Sequence, residues 1–225
     1  HSSSHLLLWF ESNGSHRHWR VALPDSSVTD ARRSLRASLR AKRSAVPAAQ
    51  RVHAARQVAR HADRILKLHP GQRIGIYSAT AEELDTSCLI ALALRRGCLV
   101  YLPRIDRRAW TRTMRFVPIS RRALRINRFG IAEPEGPALA SPRLLDVVFL
   151  PLVGFDRHGV RLGMGGGYYD RAFGFRRLRA FWHSPLLVGL GFAVQEVQRI
   201  APAAHDVPLD LVITEREVMR CACGR

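Results

Sequence analysis

The sequence predicts an α/β fold: a single three-layer domain in which a largely parallel sheet is flanked by helices. Three observations predict it. Residues 73–105 alternate apolar strand, helical pattern and apolar strand, as parallel strands joined by crossover helices do. Residues 145–155, "LDVVFLPLVGF", are nearly continuously apolar, as expected of a central strand covered on both faces. A glycine-rich stretch, "RLGMGGGYYDR" at 161–171, falls between that strand and a helical pattern, where open α/β sheets place their ligands.

Composition bounds the rest. The chain has 225 residues, 47% of them hydrophobic, enough for one sizeable core. No apolar run approaches the roughly 20 residues of a membrane span. "LLLW" at 6–9 lacks the length and the basic leader of a signal peptide. A cytoplasmic protein with no membrane partner is therefore expected. Cys88, Cys98, Cys221 and Cys223 are too few for a disulfide scaffold, and no second ligand pair stands near the Cys221-Ala-Cys223 tail, so free thiols are expected. The net charge of +18, from 36 Lys+Arg against 18 Asp+Glu, favours an anionic partner: nucleic acid, nucleotide or polyanionic metabolite. Only Lys42 and Lys67 are lysines. A mutational habit of the source genome would give the same arginine bias, and one sequence does not separate the two.

Residues 1–28 mix His, Ser, Gly and aromatics without a period; they are set apart as an extension expected to lack order, with the domain over 29–225. Thr29 and Asp30 are candidate N-caps of a first helix, which places Leu35 and Leu39 on one face and Arg32, Arg36 and Arg40 on another. A second helix follows Pro47. Its apolar stripe runs through Val52, Ala55, Val58, Ala59, Ala62, Ile65 and Leu66 to an end at Pro70-Gly71. A strand over 73–79, a loop over 81–86 and a helix from Ser87 closed by Gly97 come next, then strands to Ile105 and over 113–119. Residues 127–143 are rich in Pro and Gly and read as a long loop. Beyond 145–155 come a turn, the glycine stretch, a helix over 168–181, a strand over 184–192, a helical turn over 195–200 and a last strand over 210–214.

Glycine count alone leaves a plain surface turn open at 163–167. The alternative is an anion cradle, in which glycines let backbone N–H groups turn inward together and the start of the next helix adds unpaired N–H groups and its dipole. The pattern is neither G-x-G-x-x-G nor a P-loop. Tyr168, Tyr169, Asp170 and Arg171, crowded into the next turn, favour the cradle. An aspartate beside a phosphate calls for a cation, which Mg²⁺ held by one or two carboxylates and nucleotide phosphates would supply. A first-turn carboxylate facing the helix dipole is the plainer alternative.

The stretch "PLVGFDRHGVRLGMGGGYYDR" resembles the signature of the 5-formyltetrahydrofolate cyclo-ligase family, with "GFD", "G-x-RLG" and "GGGYYDR" in order and at the right spacing. "RRSLR" (32–36) is similar to that family's amino-terminal basic helix, "YSATAEELDT" (77–86) to its folate-binding loop and "HDVPLDLVIT" (205–214) to its closing strand, so the resemblance covers about residues 30–215. It implies a single α/β domain. It also implies a reaction in which ATP phosphorylates the formyl oxygen of 5-formyltetrahydrofolate, N10 attacks, and phosphate leaves to give 5,10-methenyltetrahydrofolate. The implied partners are 5-formyltetrahydrofolate and ATP, the implied cofactor is Mg²⁺, and a monomer without specific nucleic-acid binding is expected.

Position by position, the resemblance implies ATP-binding roles for Arg32, Arg36, Arg161, Leu162, Gly163, Met164, Gly165, Gly166, Gly167, Tyr168 and Tyr169. Arg161, Gly165, Gly166 and Gly167 would stabilise the transferring phosphoryl group. Ser78, Glu83, Met164 and Tyr168 would contact the folate, and Asp170 and Asp210 would hold Mg²⁺. Arg32 stands where the family often has lysine, and Met164 where some members have arginine. The Glu83 carboxylate suits the paired N–H donors of a pterin amide edge, and the Tyr168 ring suits stacking. Plainer readings exist for several: a solvated arginine face, a strand-start carboxylate at Asp210, helix packing at Tyr168. Glu82 and Asp85 read as a loop acid and a helix N-cap.

Two other function classes compete with this reading. Nucleic-acid binding fits the charge, but the basic helices over 32–64 contain no Phe, Tyr or Trp to stack on bases. A sugar-phosphate isomerase or coenzyme A transferase on a similar scaffold would not need ATP. The ten histidines give no metal or triad spacing. The implied reaction needs no protein nucleophile, because the substrate's own N10 attacks.

Overall fold

The apolar runs assemble into the middle of one sheet. The computed structural model describes residues 26–105, 113–119, 124–126, 132–134, 136–178 and 184–221. In chain order these form α1 (Ser26–Ser44), α2 (Ala48–Leu66), β1 (Arg73–Ile76), α3 (Ser87–Arg95), β2 (Leu99–Ile105), β3 (Met114–Pro118), β4 (Leu124–Ile126) and β5 (Ala132–Pro134). There follow β6 (Val147–Pro151), β7 (Gly154–Phe155), β8 (Arg161–Leu162), α4 (Tyr168–Ala172), β9 (Leu186–Leu190), β10 (Leu211–Ile213) and β11 (Val218–Arg220). The main sheet has the order β11-β10-β9-β6-β1-β2-β3. Its inner five strands are parallel, and β3 and β11 are antiparallel at the two edges. The β-α-β alternation thus produces the α/β class it predicts.

Side chains alternate across this sheet and make it a double-sided core. Ile74, Ile76, Val147, Phe149, Val188 and Leu190 meet α2 and α3 through Ala54, Val58, Ala62, Leu89 and Ala93. Val148, Leu150, Leu187 and Val212 meet Phe173, Val207 and Leu209 on the other face. That third layer is thin: the five residues of α4, a 3₁₀ turn over Gly174–Leu178, and extended chain leading to β10. α1 instead packs Leu39 against Val153, Leu162 and Ile200, beside the carboxyl ends of the parallel strands.

Several elements differ from expectation. The 145–155 run breaks after Pro151, and Gly154–Phe155 turns to pair antiparallel with Arg161–Leu162. Leu152 and Val153 stay buried through the change of partner, so hydrophobicity does not register it. The helix expected over 168–181 stops at Ala172, because Phe173 turns into the core against Phe116 and Tyr169; residues 179–183 lie outside the described residues. Within the expected 127–143 loop, Ala132–Pro134 pairs antiparallel with Leu124–Ile126; residues 127–131 and 135 are outside the described set. The turn expected over 195–200 lies at Ala193–Gln195, and the edge strand β11 was not expected at all.

The helices also shift. α1 starts at Ser26, so Thr29 and Asp30 lie inside it, and Asp30 pairs with Arg33 at 2.8 Å. Residues 1–25, most of the expected extension, lie outside the described residues, as does Cys223. α2 ends before Pro70-Gly71, with Lys67 in the left-handed region at φ 47°. Val52 is exposed, and Ala54 takes its place against the sheet. Cys88 and Cys98 are free thiols. Among the described residues no helix is long and apolar enough to cross a membrane.

Phe173 is fully buried and joins the thin layer to the sheet. Phe173→Ala should cost about 3–5 kcal/mol of unfolding free energy. Urea denaturation measures this, and a loss below about 1 kcal/mol would mean that the layer packs without its anchor.

Candidate active site

The chain leaves the carboxyl ends of β1, β6 and β9 at Tyr77, Leu152 and Gly191, and the site is built there. The β7–β8 ribbon delivers the glycine loop. Gly165 and Gly167 hold φ of 91° and 62°, a region that side-chain-bearing residues avoid. A Cβ at Gly163 or Gly165 would meet nothing within 4 Å, whereas one at Gly166 would lie 2.8 Å from the Tyr168 ring. The loop therefore presents an open edge at 163 and 165 and is packed under an aromatic ring at 166. α4 is too short for its dipole to contribute much, contrary to the sequence expectation.

Arginines supply the positive charge instead. Arg36 Nε donates to the Gly163 carbonyl at 3.0 Å. Arg161 donates to Asp170 Oδ1 at 2.5 Å and to the Val207 carbonyl, and the Val207 N–H donates to the same Asp170 oxygen at 3.1 Å. Arg32 forks onto both oxygens of Asp206 at 2.9 and 3.3 Å and onto the Ala201 carbonyl at 2.6 Å. Three guanidiniums thus face two carboxylates around one loop. Burial, and then Arg32 beside it, lower the Arg36 pKa from the usual arginine value. Its charge is disfavoured until an anion joins it.

The second half of the site is the loop after β1. Tyr77 is buried, and its hydroxyl donates to the Leu84 carbonyl at 2.9 Å, while Thr86 Oγ1 donates back to the Tyr77 carbonyl at 2.9 Å. Glu83 closes the turn by accepting the Thr80 N–H at Oε2, 2.9 Å away; among the described residues Oε1 has no hydrogen-bond partner. Burial, then the Glu83 charge, push the pKa values of both Tyr77 and Tyr169 up, so the two loops lie near one another. The N-cap position of α3 falls on Thr86 and not on the expected Asp85, which lies one residue earlier and accepts the Ser87 N–H at Oδ1, 2.9 Å away.

Most expected residues are brought together, with differences. Leu162 is fully buried against Leu39 and Val153, so it contributes main chain only. Met164 is 60% exposed at the loop's open edge. Tyr168 is half-buried, with the Arg171 guanidinium 5.2 Å from its ring centre. Ser78 is half-buried at the mouth of β1.

Asp210 is not brought to the glycine loop. It precedes β10 at the amino end of the parallel strands, where its oxygens accept Arg176 at 2.6 and 2.8 Å and the Leu187 N–H at 2.7 Å. The carboxylate that stands beside Asp170 is Asp206, one residue before Val207. Spacing could not choose between two aspartates four residues apart. The fork from Arg32 does.

Among the described residues no group of three His, Cys, Asp or Glu side chains forms a ready metal cluster. Among the described residues Asp170 Oδ2 has no hydrogen-bond partner, and it can take a cation that arrives already bound to an anion. Asp210 does not fit, because it stands at the amino end of the parallel strands, away from the glycine loop, with Arg176 on both its oxygens.

The model of the 5-formyltetrahydrofolate cyclo-ligase family matches residues 28–215, a span that includes α1, both loops and the inner strands. The chain belongs to this family. Its relatives include the 5-formyltetrahydrofolate cyclo-ligase of Haemophilus influenzae, 32% identical over 185 residues and covering 80% of this chain and 96% of the relative. The Escherichia coli K12 enzyme of the same name is 34% identical over 148 residues, 64% of this chain and 79% of that one. Among solved structures, the 5,10-methenyltetrahydrofolate synthetase of Aquifex aeolicus superposes with a TM-score of 0.72 at 28% identity, over 86% of this chain and 94% of that one. The chain is accordingly an enzyme, a cyclo-ligase of folate one-carbon chemistry.

The cyclo-ligase site predicts an unusual alkaline titration. Tyr77 and Tyr169 are held protonated by burial, so above about pH 10 the unfolded chain releases protons that the folded chain retains. A raised folded pKa leaves stability intact below that pH and erodes it as pH climbs further. Tyrosinate absorbance should therefore show Tyr77 and Tyr169 ionising late, alongside unfolding; their ionisation near pH 10 in the folded enzyme would contradict the upward shifts.

Proposed function

We propose that this enzyme converts 5-formyltetrahydrofolate to 5,10-methenyltetrahydrofolate with ATP as co-substrate. The observation that carries the reading is the family match over residues 28–215, which spans both loops of the site. In this reaction the γ-phosphoryl group passes to the formyl oxygen and ADP leaves. N10 then attacks the activated formyl carbon, and phosphate departs as the ring closes. The folate supplies its own nucleophile, so the protein's task is to position the substrates and stabilise charge.

The glycine loop suits the phosphates. Its open edge at Gly163 and Gly165 lets an anion approach the main chain, with Arg36 already on the Gly163 carbonyl. Arg161 donates to Asp170 and the Val207 carbonyl, Arg32 forks onto Asp206, and both can offer planar donors to phosphate oxygens. Bound Mg²⁺ would neutralise phosphate charge during transfer. Asp170 would hold it through Oδ2, with Asp206 beside it. Gly165, Gly166 and Gly167 are the backbone we assign to the transferring phosphoryl group.

The loop over 77–86 suits the folate. Glu83 retains a free Oε1 and a singly used Oε2, so it can accept a pair of pterin N–H donors. Ser78, Met164 and Tyr168 line the gap between this loop and the glycine loop in our assignment, with the Tyr168 ring as a stacking face. Nothing in this chemistry calls for a second chain, and we propose a monomer.

The test is the appearance of methenyltetrahydrofolate absorbance from 5-formyltetrahydrofolate. Turnover should require both ATP and a divalent cation, and equal product without nucleotide would sink the reading. Glu83→Gln puts an amide donor against the pterin's own donors and should cost about 2–4 kcal/mol of folate binding with little change in ATP affinity. Asp210→Asn should lower thermal stability, because it loosens a buried arginine, and leave the cation dependence unchanged. A large shift in magnesium requirement in Asp210→Asn would return that residue to the metal.

A further inference from the structure

Arg43 has no part in the chemistry above, yet it is among the most buried side chains of the molecule, 2% exposed near the carboxyl end of α1. Its Nη1 donates to the Leu152 carbonyl at 3.3 Å, where the chain leaves β6. Its Nη2 donates to Glu82 Oε2 at 3.0 Å, in the loop after β1. Among the described residues its Nε has no partner. The nearest countercharge to this buried cation is one acid on one loop. Removing it would leave a guanidinium in the core with a single carbonyl, an arrangement that proteins tolerate poorly.

A second arginine makes the same connection from α2. Arg51 donates to the carbonyls of Val46 at 2.9 Å and Arg43 at 2.5 Å, and also to those of Glu82 at 3.0 Å and Ala81 at 3.4 Å. It lies 5.3 Å from the centre of the Phe192 ring, in the segment after β9. The loop that presents Ser78 and Glu83 is therefore tied by its Ala81–Glu82 corner to the α1–α2 junction. Arg43 stands on the helix that also carries Arg32 and Arg36, eleven and seven residues earlier, at spacings that return to one helical face.

We propose that Arg43 and Glu82 form a positioning pair that fixes the Ser78–Asp85 loop against α1 and so sets the enzyme's affinity for the folate. The proposal rests on the folate reading of that loop. Glu82 touches no substrate in this account. Its carboxylate is spent on Arg43, with Arg40 Nη2 4.0 Å away, and it holds the backbone that places Glu83.

Glu82→Gln is the first test, because the side chain is about half exposed and the fold should survive. The folate KM should rise about fivefold or more, with the ATP KM within about twofold of wild type. Amide hydrogen exchange over residues 80–84 of the ligand-free enzyme should quicken. Arg43→Lys should reproduce the folate defect, since an ammonium cannot span Leu152 and Glu82 as the fork does. Combining it with Glu82→Gln should add little to the worse single variant. Glu82→Asp should recover part of the affinity.

Unchanged folate KM in Glu82→Gln overturns the proposal, whether or not exchange quickens. A raised folate KM with unchanged exchange also overturns it, because Glu82 would then be touching the substrate itself. Additive defects in the double variant would show two independent roles and defeat the pairing. Absence of turnover in the wild-type enzyme would instead remove the folate reading, and the exchange arm alone would then decide whether the pair holds the loop.

Discussion

Arg161 carries a full charge into a place that is 6% exposed, and the site is organised around meeting that charge. It begins β8, its carboxylate partner Asp170 lies in α4, and its carbonyl partner Val207 lies in the chain returning toward β10. One guanidinium thus locks the entry of the glycine loop, its exit and the opposing segment. Arg32 extends the lock to α1 through Asp206 and Ala201. The segment from Ile200 to Val207 has no regular structure, yet its main chain is answered by side chains. Asp156 accepts the Ile200 N–H, Asp206 that of Ala203 and Asp170 that of Val207, while Arg177 donates to the Ala204 carbonyl. Backbone groups without a ladder need such partners, and here they also hold Arg32 and Arg161 beside the glycine loop.

These arrangements bear on the arginine bias that composition leaves open. Arg32 forks onto a carboxylate, Arg51 reaches four carbonyls and Arg43 joins a strand end to a loop. A lysine ammonium, a single point of charge on a flexible stem, would serve none of these geometries as well. At these positions the choice of arginine is structural. Arg33, paired with Asp30 on the surface, shows no such need among the described residues.

How much was legible follows from what periodicity can register. Strand-helix-strand alternation over 73–105 and the apolar run at 145–155 were enough for the class and the central strands, since burial on both faces leaves a compositional trace. The turn of Gly154–Phe155 into a ribbon was hidden, because a strand that changes partners stays apolar. On α1 the leucines and arginines had been divided between two faces. In the structure Arg32, Leu39 and Arg43 are all buried on one face, because a guanidinium can be buried wherever a carboxylate or carbonyl waits. No hydrophobicity pattern contains that partner. The same blindness separates Asp206 from Asp210: each is an aspartate near a closing strand, and only the arginines that reach them, Arg32 and Arg176, tell the loop end of the sheet from its far end.

The net charge of +18 belongs in this frame. A general positive field draws any polyanion and weakens with salt, so it raises encounter rates without choosing a ligand. Selectivity has to come from charges that the fold holds out of water. Arg36, half-buried, is partly such a charge: burial and then Arg32 lower its pKa, Asp206 offsets some of this, and the ligand-free site carries a small electrostatic cost. On the proposed function, a triphosphate at the Gly163–Gly167 loop would relieve that cost and compete for the Arg161 bond to Asp170 and the Arg32 fork on Asp206. Bringing a cation with it would leave those carboxylates a partner as the arginines turn away. On that proposal the ligand-free ion pairs, three guanidiniums around two carboxylates, are a resting arrangement with one positive charge in excess, of groups that phosphate and metal would share.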